Sequence, residues 1–138
     1  MRKEILSTRE LKKLSDEIIE NFPKGVIILR GDLAAGKTTL CKYIVASCGV
    51  KDEVTSPTFS LQQCYGDRLF HYDIYNKGIE HFISLGMLEE LEKDGLHLVE
   101  WGDDKLRDIL IDAGLDVLEI DIKKIDSDKR EYIIRENI

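Results

Sequence analysis

Gly31-Asp32-Leu33-Ala34-Ala35-Gly36-Lys37-Thr38 fills every fixed position of the pattern G-x-x-x-x-G-K-[ST]. The chemistry dictates the residue types. Glycine lets the backbone turn tightly enough for successive N–H groups to point inward and surround phosphate oxygens. Lys37 adds a full positive charge, and the hydroxyl of Thr38 is a hard oxygen suited to Mg²⁺. A helix beginning near Gly36 directs the positive end of its dipole at the same anion. The segment therefore reads as a nucleoside-triphosphate loop, with Gly31 to Thr39 as the binding residues.

Such a loop needs a second acid on the metal side, at the end of a neighbouring apolar strand. Glu100 closes Leu96-His97-Leu98-Val99 and meets that requirement, although a strand-end carboxylate can equally be a solvated surface group. Asp73 is the other candidate, with a surface salt bridge as its plain alternative. His71 is read first as a strand imidazole that satisfies a hydrogen bond. Trp101 supplies area and one donor, so it is a core residue or a partner anchor, not a catalyst.

The flanking elements suit the loop. Val26-Ile27-Ile28-Leu29 is a short apolar run after the turn Pro23-Lys24-Gly25, as expected of a central parallel strand buried on both faces. Beyond the loop, Leu40, Cys41, Ile44, Val45 and Cys48 recur at helical spacing, with Gly49 as the cap. Ser7 and Glu10 form an S-x-x-E capping box ahead of the stripe Leu11, Leu14, Ile18, Ile19 and Phe22. Tyr65-Gly66-Asp67-Arg68 predicts a two-residue hairpin, placing Gln62 opposite His71, Ser60 opposite Asp73 and Thr58 opposite Tyr75. One face of that hairpin is then polar, and the other carries Phe59, Leu61, Phe70, Tyr72 and Ile74. Residues 79 to 93 read as one helix broken near Gly86 or as two short ones, and Leu106, Ile109 and Leu110 mark another. Leu118, Ile120 and Ile122 turn at Asp126-Ser127-Asp128 into Tyr132, Ile133 and Ile134, a second hairpin. The sum is a three-layer α/β, P-loop NTPase-like domain over residues 1–138, with a mixed, largely parallel sheet and antiparallel hairpins.

Composition narrows the partners. The 138 residues are 43% apolar and 34% charged, consistent with one globular core and no substrate-clamping lid. No apolar run approaches the about 18 residues of a membrane span, and the amino end lacks a signal-like apolar region, so a cytoplasmic site is expected. A formal charge of −7 opposes autonomous binding to a phosphate backbone. The three cysteines, Cys41, Cys48 and Cys64, lack C-x-x-C spacing and read as reduced core residues.

Gly31-Asp32-Leu33-Ala34-Ala35-Gly36-Lys37-Thr38-Thr39, Ser56-Pro57-Thr58-Phe59, His71-Tyr72-Asp73-Ile74-Tyr75 and Leu98-Val99-Glu100-Trp101 together resemble the signature series of the TsaE (YjeE) family. The resemblance covers nearly the whole chain. It implies a bacterial ATPase that works with TsaB and TsaD in forming N6-threonylcarbamoyladenosine at position 37 of tRNAs reading ANN codons, turning over the TsaB–TsaD complex and meeting tRNA only indirectly. It further implies ATP and Mg²⁺ as cofactors and Lys37 on the β and γ phosphates. Thr38 and Glu100 would hold the metal, Asp73 would be needed for hydrolysis, and Ser56 to Phe59 would act as a switch segment. Thr8 and Arg130 are implied near the base, on a loose match. Ala34 and Gly102 depart from the family's usual glycine and proline.

Two other functions compete. A small-molecule kinase fits a compact P-loop domain, but no arginine-rich lid is present. A nucleotide-gated interaction module with incidental hydrolysis is of a different class. A GTPase lacks support, because no N-K-x-D motif occurs.

Overall fold

Val26 to Leu29 lie at the centre of a sheet, and the reason is their two-sided burial: Ile27 and Leu29 enter one apolar core, Val26 and Ile28 the other. The computed structural model of the chain describes residues 2–32, 35–50, 62–75 and 78–137. In chain order these form β1 (Arg2–Ser7), a 3₁₀ turn (Thr8–Glu10), α1 (Leu11–Asn21), β2 (Gly25–Arg30) and α2 (Lys37–Ser47). Then come β3 (Gln62–Cys64), β4 (Leu69–Asp73), α3 (Gly78–Ser84), α4 (Met87–Leu91) and β5 (Leu96–Glu100). The chain finishes with α5 (Asp104–Asp112), β6 (Val117–Lys124) and β7 (Lys129–Asn137).

The described strands make one sheet in the order β1-β7-β6-β2-β5-β4-β3. Its centre is parallel: β2 lies between β5 and β6, and β4 continues beside β5. Antiparallel pairs flank it, β3 on β4 at one side and β6, β7 and β1 at the other. The helices form the outer layers. Leu11, Leu14 and Ile18 of α1 and Leu40, Cys41, Ile44 and Val45 of α2 cover one face. Phe82, Leu91, Leu106 and Leu110 of α3, α4 and α5 cover the other. Each stripe follows the helical period, so burial of that face fixes the helix against the sheet.

Local signals hold up at several junctions. Glu10 Oε1 accepts from the Ser7 N–H and hydroxyl, both at 3.0 Å, as the capping box requires. Asp103 caps α5 by accepting from Leu106 N–H at 2.9 Å. At the β6–β7 turn, Asp126 Oδ1 accepts from the N–H groups of Asp128 and Lys129, both at 2.8 Å. Gly86 separates α3 from α4, so the broken-helix alternative resolves into two short helices.

The first hairpin differs from expectation by one residue. Gln62 pairs with Tyr72, Gln63 with His71 and Cys64 with Phe70, and Tyr65 N–H donates to Leu69 O at 2.8 Å. Gly66 to Arg68 thus form a three-residue connection. The cause is tertiary: Arg68 O is aimed at Leu96 N–H of β5, 2.8 Å away, rather than back across the turn. Gln62 consequently shares the face of Tyr72, and its side-chain amide donates to the phenol oxygen at 3.2 Å and to Glu90 Oε1 at 3.1 Å. The face bearing His71 and Asp73 does not turn to water either; His71 is fully buried. Thr58 and Ser60, with the rest of the proposed switch segment, lie outside the described residues.

The cysteine reading also needs correction. Cys41 is buried, but Cys48 and Cys64 are exposed. Cys48 sits past the last turn of α2, where the helix face no longer meets the sheet, and Cys64 ends a strand at the sheet edge.

Candidate functional site

The loop joins the carboxyl end of β2 to the amino end of α2, the crevice position at which open α/β sheets place ligands. Two glycines shape it. A Cβ on Gly31 would stand 2.6 Å from Ile122 O, and Gly36 has φ +111°, a region that side-chain-bearing residues rarely enter. Ala35 N–H donates to Asp32 O at 3.0 Å, closing the turn. Leu33 and Ala34 lie outside the described residues.

Lys37 opens α2 and folds back over the loop. Its Nζ donates to Gly31 O at 2.6 Å and Asp32 O at 2.9 Å, and stands 3.9 Å from the centroid of the Trp101 ring. The side chain is nearly buried, and burial pushes its pKa below the usual lysine value while Glu100, Asp73 and Asp32 pull it back up. The loop therefore stores a cation among weak dipoles and a ring face.

Thr38 Oγ1 donates to Glu100 at 3.1 Å to Oε1 and 3.3 Å to Oε2. Glu100 ends β5, only 2% exposed, and its Oε2 also meets His71 Nε2 at 2.6 Å. His71 thus holds this carboxylate toward Thr38. Asp73, the neighbour of Glu100 in the β4–β5 register, accepts from Tyr75 N–H at 3.0 Å. Desolvation raises the Asp73 pKa, the Tyr75 hydrogen bond opposes it, and the Glu100 charge raises it further.

Trp101 has φ +70°, a left-handed conformation that costs a bulky residue about 1–3 kcal/mol. Two contacts hold the turn there: Trp101 N–H donates to Leu29 O at 3.0 Å, and Arg30 Nε donates to Gly102 O at 2.9 Å. The indole is half-buried and stacks on Tyr75 with centroids 4.4 Å apart. Trp101 also borders, with Arg30, Gly31, Asp32 and Lys105, a cleft of about 600 Å³. Arg30 itself pairs with Asp104 at 2.9 Å and with the buried Glu119 at 2.8 Å.

Of the residues read from sequence, Lys37, Thr38, Glu100 and Asp73 gather at the loop mouth. Thr39 follows on α2. Arg130 reaches the loop from β7, its Nε donating to Ala35 O at 3.0 Å, whereas Thr8 is exposed in the turn after β1, whose Leu6 pairs with Arg130. Sequence reasoning placed Tyr75 on the polar hairpin face without its stacking on Trp101, passed over Arg30, and treated Cys41 as packing alone. Cys41 stands four residues after Lys37 and three after Thr38 on α2, a spacing that puts it on the face turned to the site.

Comparison with known proteins gives a consistent result. A family model described as "Threonylcarbamoyl adenosine biosynthesis protein TsaE" matches residues 5–132. A Rickettsia prowazekii protein named tRNA threonylcarbamoyladenosine biosynthesis protein TsaE is 34% identical over 130 positions, covering 90% of this chain and 87% of its own. A Bacillus subtilis protein of the same name is 36% identical over 129 positions, covering 90% of this chain and 76% of its own. Among solved structures, the crystal structure of Bacillus subtilis YdiB superposes with a TM-score of 0.65 at 31% identity, over 95% of this chain and 82% of that one.

Proposed function

The chain belongs to the TsaE family, and from that membership and the loop geometry we propose that it is a Mg²⁺-dependent ATPase that serves threonylcarbamoyladenosine formation on tRNA by turning over a TsaB–TsaD complex. The observation that carries the ATPase reading is the meeting of Thr38 Oγ1 with Glu100 at 3.1 Å beside a lysine held by two loop carbonyls and a ring face. A hard hydroxyl and a carboxylate suit Mg²⁺, which when bound would neutralise charge between the β and γ phosphates.

The chain's own residues divide the remaining work. The loop N–H groups cradle phosphate, and Lys37 leaves Gly31 O and Asp32 O to follow the negative charge. His71 orients Glu100 through the 2.6 Å contact. Asp73, with a carboxyl more basic than usual, is the group to orient or deprotonate an attacking water. Arg130, tied to Ala35 O, stiffens the loop from the sheet side.

The exposed Tyr75 against Trp101 supports a second reading, a nucleotide-gated docking module in which hydrolysis is incidental. One experiment separates the two: mix the protein with purified TsaB and TsaD and measure ATP consumption with each component omitted in turn. Consumption that rises only with all three present supports the ATPase cycle. ATP-dependent binding with no rise in turnover favours the docking module, and a phosphorylated small molecule among the products would overturn both.

A further inference from the structure

Beneath the loop, three chemically different ligands converge. A cysteine sulfur (Cys41), a ring nitrogen (His71) and a carboxylate oxygen (Glu100) all lie within 4.8 Å of one another, and all three residues are buried. They come from separate elements: α2, β4 and β5. His71 is 0% exposed, and its Nε2 is the ring nitrogen that meets Glu100 Oε2.

We propose that Cys41, His71 and Glu100 form a binding site for a borderline-soft divalent cation of the zinc class, overlapping the oxygen-ligated Mg²⁺ position at Thr38 through Glu100. The donor set selects the ion. Magnesium takes oxygen and keeps its waters, whereas thiolate, imidazole and carboxylate together are the ligands of Zn²⁺, Co²⁺ or Fe²⁺. With bonds of about 2.0–2.3 Å, a tetrahedral ion separates its ligands by roughly 3.3–3.8 Å. His71 and Glu100, now 2.6 Å apart, would open by about 1 Å, and the cysteine sulfur would move inward. Ligation through Nε2 displaces the proton of the His71–Glu100 hydrogen bond, which passes to Nδ1 as the ring changes tautomer, and the thiol proton leaves to solvent as the metal–sulfur bond forms, so affinity rises with pH. Water completes the fourth position.

One consequence rests on the ATPase reading. An ion on Glu100 draws this carboxylate from Thr38 and so competes with Mg²⁺ for the same group. Zinc-class ions then act as inhibitors of turnover whose apparent affinity falls as Mg²⁺ is raised, and the two ligands closed to magnesium mean that a large excess of Mg²⁺ is needed.

The test starts from the full chain carrying Cys48→Ser and Cys64→Ser, which removes the exposed thiols and leaves Cys41 as the one cysteine. Titration with Co²⁺ alone, without nucleotide, is expected to give one equivalent bound, with tetrahedral ligand-field bands and a thiolate-to-cobalt charge-transfer band. Adding Cys41→Ala abolishes the charge-transfer band, and His71→Gln weakens binding at least about tenfold. Circular dichroism checks that each variant is folded, and a rise in melting temperature with Zn²⁺ in the parent gives a readout that needs no further variant. Absence of the charge-transfer band in the folded parent, or its survival in Cys41→Ala, overturns the proposal. These measurements involve no ATP, so that failure would leave the ATPase reading intact.

Discussion

The ammonium of Lys37 lies 3.9 Å from the centre of the Trp101 indole, and the same indole stacks on Tyr75, 49% exposed. The sole tryptophan of the chain thus touches the lysine that, on the ATPase reading proposed above, leaves the loop carbonyls for phosphate. Its fluorescence is expected to change saturably on ATP addition, and Lys37→Ala should remove most of that change. A flat titration of the wild type would mean that Lys37 keeps its place on the ring with nucleotide bound.

Lys37→Ala should lower ATP turnover by about 10²–10³, the usual cost of losing one charge-stabilising group. Its melting temperature should not fall, because burial already disfavours the ammonium in the folded chain. Calorimetry and a turnover assay on one preparation check both halves. Turnover within a few fold of wild type would remove the lysine from the chemistry.

Thr38→Ala and Glu100→Gln should each raise the Mg²⁺ concentration needed for half-maximal turnover. Each removes an oxygen suited to a hard cation, while nucleotide still meets the loop. The measurement is activity against Mg²⁺ at fixed ATP. An unchanged curve for Glu100→Gln would move the metal duty to Asp73.

Asp73→Asn should lose turnover yet gain thermal stability at neutral pH. The sign follows from the raised pKa: the folded state holds the Asp73 proton more tightly than the unfolded chain does. Ionised Asp73 therefore lowers stability once pH exceeds the unfolded value, and the penalty is complete above the folded one. Melting curves should show the variant's advantage shrinking as pH falls through the carboxylate range and vanishing below it. An advantage independent of pH would place its origin outside this titration.

Trp101→Ala should keep ATP affinity and most of the stability but lose stimulation by TsaB and TsaD. The indole is half-buried and borders an open cleft, so its removal leaves no closed cavity. Trp101→Gly should be at least as stable as Trp101→Ala, since glycine accepts φ +70°. A collapsed melting temperature with normal stimulation in the folded fraction would make Trp101 a core residue and move the docking surface elsewhere.

What the sequence made legible was local or strongly periodic. The loop, β2, α2, β5 and the β6–β7 hairpin each carry a short-range signal: fixed glycines, an unbroken apolar run, or alternation around a turn. β1 escaped because Arg2 to Ile5 are largely exposed and charged, the normal dress of an edge strand, and pairing with β7 is what makes it a strand. The first hairpin slipped by one residue because Arg68 O is claimed by Leu96, a contact invisible to turn statistics. In the site, Lys37 and Thr38 were fixed by motif, and Glu100 by its place at a strand end. The contact of His71 with that carboxylate, and the approach of Cys41, required the β4–β5 register and the seating of α2, both tertiary facts.

The position of β2 also governs when the nucleotide loop can exist. Ile27 pairs with Leu98 on one side and Leu118 on the other, both made long after it during synthesis. A nascent chain that has exposed only the glycine loop and α2 has no neighbouring strand to hold β2 and no Glu100 to meet Thr38. The dominance of such distant pairings predicts slow, late assembly of the sheet, on the millisecond-to-second scale. On the ATPase reading proposed above, nucleotide capture would be a late event in biogenesis, and ATP, by binding only the finished arrangement, would draw the folding equilibrium toward it.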